Sequence, residues 1–111
     1  MEVRAFTEEL LKALAGVAEV ERVALQAEGP VISGRAYLPG EAFLSFYYNE
    51  GTGTMAFALI RGQSRMWGID CDAVRGWHLH PLEAPECHVE IPPLSVSDVI
   101  RRLAEVLAEV E

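Results

Sequence analysis

All three histidines of the chain, His78, His80 and His88, fall in the segment Gly76–His88, together with Cys87, one of two cysteines. His78 and His80 are one residue apart, so in an extended segment both imidazoles project from the same face. Pro81 follows directly and disfavours helical geometry at His80. A zinc ion needs three or four N, S or O ligands at roughly 2.0 to 2.3 Å. His78, His80 and His88, or two of them with Cys87, supply a suitable set. Asp70, Cys71 and Asp72 end the preceding strand and are candidate neighbours; Glu83, Glu86 and Glu90 form an acidic rim able to orient an imidazole. Two other readings use the same residues. Histidine titrates near pH 6.5, so a pair can act as general acid and base without a metal, with Arg75 stabilising an anionic transition state. Alternatively, the segment is a proline-braced loop whose histidines hydrogen-bond to backbone groups at the end of the sheet.

The surrounding pattern predicts what positions this segment. Phe6, Leu10, Leu14 and Val17 make one apolar stripe and predict a helix over 3–19, with Thr7 as its cap. Period-two alternation follows over 20–28, 31–38, 41–48, 54–60 and 65–70. Leu44, Phe46 and Tyr48 share one face, as do Met55, Phe57 and Leu59. Gly34 is read as a bulge. The connections are short turns, which force antiparallel neighbours, because a parallel return needs a crossover of about a dozen residues. Ser95 and Asp98 make a capping box, with Leu94 and Val99 as a hydrophobic staple, ahead of a strongly amphipathic final helix carrying an Arg101–Glu105 pair. The expected fold is a single α+β domain over 1–111: N-terminal helix, antiparallel meander of about five strands, histidine-rich loop, and C-terminal amphipathic helix packed on the sheet. That terminal helix also offers a face for a homodimer or another partner.

Composition narrows the functions. The chain has 111 residues, half of them hydrophobic, and a net charge of −8, with eight Arg and a single Lys. Such acidity rules out a broad electrostatic footprint for nucleic acid and leaves only local Arg contacts to RNA. Two cysteines do not make a disulfide framework. There is no signal-peptide pattern and no apolar run near the ~18 residues of a membrane span. A cytoplasmic location, with Cys71 and Cys87 as thiols or ligands, is the expectation.

Two families share features with the chain. Met55–Ile60, Gly62, Arg65, Trp67-Gly68-Ile69-Asp70, His78-Leu79-His80-Pro81, Cys87-His88-Val89 and a closing helix together resemble the TumE-like toxins of prokaryotic toxin–antitoxin systems. This likeness covers about the last two thirds of the chain. It implies a small α+β toxin, a small DNA-binding antitoxin as partner, and a functional set of Arg65, Asp70, His78, His80 and His88. RNA cleavage is the natural proposal for such a set. More locally, His78-Leu79-His80-Pro81 with Ser95-Val96-Ser97-Asp98 resembles the His-x-His-Pro…Ser-x-x-Asp signature of JAMM-type zinc isopeptidases. That likeness implies a zinc-dependent hydrolase with His78, His80 and Asp98 on the metal and Glu28 acting on the water. A non-catalytic oligomeric binding module is the third expectation.

Overall fold

The computed structural model describes residues 1–110. Helix α1 (Val3–Leu14) is followed by strands β1 (Arg22–Glu28), β2 (Val31–Leu38), β3 (Ala42–Asn49), β4 (Met55–Arg61), β5 (Ser64–Asp72), β6 (Gly76–His80) and β7 (Val89–Glu90), and then by helix α2 (Val96–Val110). The strands form one antiparallel meander in sequence order, β1 to β7. The α+β class, the antiparallel sheet and both terminal helices agree with the sequence reading. The strand count does not: among the described residues there are seven strands rather than about five. The segment expected to be a loop opens with a strand, β6, paired to β5 from Gly68↔His80 to Asp72↔Gly76. A three-residue loop suffices for that hairpin. Gly76 takes the left-handed conformation (φ 68°) such loops need, and the Asp72 carboxylate accepts the backbone N–H groups of Val74 and Arg75.

Alternation divides the sheet into two unlike faces. One face carries Leu44, Phe46, Tyr48, Met55, Phe57, Leu59, Trp67 and Ile69, all buried. Both helices cover this face. Phe6 and Leu10 of α1 and Val96, Val99, Ile100 and Leu103 of α2 are almost fully excluded from solvent within the same core, and Phe6 stacks on Tyr48 with ring centroids 4.8 Å apart. The opposite face has no helix. Its residues include Tyr37 and Phe43, a tilted ring pair, with Arg22 over Tyr37 and Arg35 over Phe43.

Several local expectations are corrected. α1 ends at Leu14, and Ala15-Gly16 turn the chain, with Gly16 and Val17 donating to Ala13 and Leu14. Its N-cap position is Glu2; Thr7 lies within the helix and its hydroxyl donates to the Val3 carbonyl. Gly34 is not a bulge but pairs in register with Leu25 and Phe46. It is glycine because a Cβ there would lie 2.0 Å from the Ala24 carbonyl oxygen. The irregularity falls instead between Leu59 and Ile60, opposite Met66. Arg101 pairs with Asp98 (2.9 Å), not Glu105. Among the described residues, no helix is long and apolar enough to cross a membrane.

Candidate functional site

Strand register assembles the histidine group. On β5 and β6, Asp70 lies opposite His78, and Gly68 opposite His80. β7 continues the pattern with His78↔Glu90 and Leu79↔Val89, so the residue before β7, His88, arrives beside His80. Asp70, His78, His80 and His88 therefore meet on the face of the sheet that the helices leave open. Leu79, between the two histidines, points to the core. Gly68 lies under this group: a Cβ there would stand 2.7 Å from the Phe57 carbonyl oxygen and 3.8 Å from the edge of the His80 ring, so the close approach to β4 requires glycine.

An open sheet face normally exposes its side chains, yet His78 and His80 are only 6% and 4% exposed. The segment Pro81–His88 buries them by folding back through two turns, Ala84 donating to Pro81 and Cys87 to Ala84. This brings the Pro85 carbonyl to 3.0 Å from His80 Nδ1. The three rings pack at centroid distances of 4.6 to 5.3 Å.

The hydrogen bonds fix which nitrogens are free. His78 Nδ1 lies 3.3 Å from the Gly76 carbonyl and His80 Nδ1 3.0 Å from that of Pro85. A carbonyl only accepts, so both Nδ1 atoms carry the hydrogen. In the neutral rings, each Nε2 then presents a lone pair. Both face Asp70 Oδ2, at 3.4 Å from His78 and 3.1 Å from His80. Three acceptors aimed at one another repel unless something positive lies among them. Two charges satisfy that requirement: protons on the rings, or a metal ion. The donor set suits the ion. One ligand atom from each of His78, His80 and His88 lies within 4.8 Å of the others, where a tetrahedral zinc sets nitrogens about 3.4 Å apart. Backbone carbonyls on the far nitrogens are the usual partners that orient metal-binding imidazoles.

His88 is the exposed member. Arg75 Nη1 stands 2.6 Å from its Nε2. Arginine only donates, so in this arrangement it occupies the Nε2 lone pair, and His88 joins an ion there only once Arg75 gives way. Partial desolvation, with the positive charge of Arg75 next, lowers the His88 pKa and favours the neutral ring that a ligand requires. Arg75 is aimed there by the β5–β6 turn. The backbone N–H groups of that turn, Arg75 first, hold the Asp72 carboxyl below the usual carboxylate range.

Not every residue singled out by sequence joins the group. Cys87 is exposed, and among the described residues its sulfur is not part of the clustered ligand atoms. Cys71 points to the core face, opposite Met55 and Trp77, and burial raises its thiol pKa. Arg65 is exposed near the start of β5, opposite Ile60 and five residues from Asp70, on the order of 15 Å along the strand. Of the two arginines singled out by sequence, Arg75 stands at the histidine group and Arg65, implied by the toxin likeness, does not. Asp98 is bound to Ser95 and Arg101 at the start of α2. Glu28 ends β1, five strand spacings from β6, about 24 Å away. The ligand set implied by the isopeptidase likeness is thus not gathered here. No family model, curated protein or solved structure matches the chain.

Proposed function

We propose that the chain is a hydrolase built on a His78–His80–His88 transition-metal centre, with zinc the ion its donors fit and an anionic ester, RNA foremost, as substrate. One observation carries this reading: Nε2 of two buried histidines and the carboxylate of Asp70 converge as acceptors, while both Nδ1 atoms are committed to carbonyls. Bound there, the ion would supply Lewis acidity and a water whose pKa is lowered to about 7. Asp70 faces the same point and accepts the proton of an attacking water. Arg75, beside His88, holds an anionic oxygen of the substrate. The loop over His80 excludes bulk solvent. A toxin-type ribonuclease held in check by a small DNA-binding antitoxin is the biological role to which the sequence likeness leads.

A second reading keeps the substrate and drops the ion. Protons on Nε2 of His78 and His80 would equally reconcile them with Asp70, giving a histidine acid–base pair with Arg75 as the anion holder. Untagged protein analysed for metal and assayed on RNA with and without chelator separates the two. Close to one zinc per chain, lost in H78A and H80A, with cleavage that chelation stops and zinc restores, is the expected result. Zinc below about a tenth of an equivalent, no zinc binding on titration and chelator-insensitive cleavage would sink the metal reading and leave the second. Neither zinc nor cleavage would dispose of both.

A further inference from the structure

The two edges of the sheet are built differently. β7 is two residues long and runs into Pro92-Pro93, which cannot donate to another strand. β1 has none of these guards. It is seven residues long, free of proline, and uncharged from Val23 to Ala27. Natural edge strands are normally shortened, bulged, charged or covered, because their free N–H and C=O groups are a template for another strand. Leu25, at the centre of β1, is 43% exposed.

We propose that β1 pairs with β1 of a second copy of this chain, antiparallel about a two-fold axis through Leu25, joining the two sheets edge to edge. This goes beyond the hydrolase reading and does not depend on it. The sequence of the strand selects both occupant and register. Centred on Leu25, Arg22 of each copy faces Glu28 of the other, so the strand's only two charges are matched twice. Val23 faces Ala27, and Leu25 meets its own counterpart. This is the only antiparallel self-register that pairs all seven residues. Hydrogen-bonding geometry agrees. Gly29-Pro30 is a two-residue hairpin loop, Gly29 having φ 57°, so Glu28 and Val31 exchange bonds, and alternation leaves the polar groups of Val23, Leu25 and Ala27 pointing outward. Val23, Leu25 and Ala27 also share the helix side of the sheet, opposite Ala36, Gly34 and Ile32. The helices stop short of Leu25, so a second copy covers what they leave bare. The histidine group lies near the other edge and keeps its access in the dimer.

Sedimentation of the full chain over a concentration series tests this. The wild type approaches twice 12.2 kDa, with a dissociation constant of micromolar order for so small an interface. L25K sets two ammonium groups on the axis and sediments as a monomer throughout. E28R alone, which leaves the Arg22–Tyr37 stacking intact, weakens the dimer about tenfold, and R22E with E28R restores it to within about threefold. Thermal unfolding confirms that each variant is folded. A wild type that stays monomeric overturns the proposal. So does a dimer that L25K leaves intact, which would place the contact on the open sheet face or the helices. A double exchange no better than E28R alone overturns the register.

Discussion

Asp70 decides what the histidines can be. Its Oδ2 is shared by two imidazole nitrogens that have no other use, and it is only partly exposed. Replacing it by Asn keeps size and shape but brings an N–H₂ group where an acceptor stood. D70N should lower zinc affinity at least about tenfold, because the ion loses a facing anion and the new N–H₂ group competes for the Nε2 lone pairs. C87S should leave the affinity unchanged, because that sulfur is exposed and outside the cluster. Titration of both variants with zinc checks the pair; equal effects would assign Asp70 no special role. The contrast also marks what sequence can reveal about a site. His78 and His80 share a face in any extended chain, so their pairing was legible from spacing alone. His88 required the register of a two-residue strand that has no hydrophobic pattern of its own. Cys87 is next to His88 in sequence but outside the cluster, and Arg65 is implied only by the toxin likeness; Arg75 follows from the residues themselves, though nothing local shows that the Asp72 turn points it at His88.

At the level of elements, α2 shows sequence logic at its most direct. The Ser95 hydroxyl accepts the Asp98 N–H at 3.0 Å, and the Asp98 carboxylate accepts the Ser95 N–H at 3.4 Å, the reciprocal box expected from four residues. A partner from outside the helix, Glu9 of α1, was not legible. Its carboxylate accepts both the N–H and the hydroxyl of Ser97, tying the two helices together across 88 residues of sequence. S95A should cost about 1 kcal/mol. The pH dependence has a definite sign. The Ser95 hydroxyl, then its N–H, holds the Asp98 pKa below its ordinary value. Its contribution is therefore complete above about pH 3.9, the unfolded value, and is lost as pH falls through the lower folded value. Denaturant melts of wild type and D98N should differ at neutral pH and converge in acid; a gap that persists below both pKa values would assign the effect to something other than the carboxylate. β6 and β7 are the two strands that the sequence pattern does not show. A five-residue strand of Gly, Trp, Leu and two His, closed by Pro81, carries too little β-propensity to stand out, and forms because β5 supplies the ladder.

Across the whole molecule, the apolar core and the histidine group occupy opposite faces of one sheet. The helix side holds the contiguous apolar core, while the open side holds the histidine group and is covered locally by a loop with few apolar contacts of its own. Such a loop sits at the low-stability end of the structure and opens before the core does. Three ligands placed on β6 and just before β7 span that loop, so an ion there would staple Pro81–His88 to the sheet and couple local order to metal concentration. A ligand that binds only the folded state stabilises it by about 2.7 kcal/mol at a hundred times its dissociation constant. For a chain of 111 residues, that is a rise in melting temperature on the order of 10 °C. Zinc should produce this shift in the wild type, a chelator should reverse it, and H80A should abolish it while melting through the same core transition. Amide exchange should show the protection concentrated at residues 81–90, with α1 and α2 slowed only through the global term. A zinc-induced shift that survives in H80A, or protection that leaves 81–90 unchanged, would place the ion elsewhere on this acidic surface and separate the histidine group from metal binding.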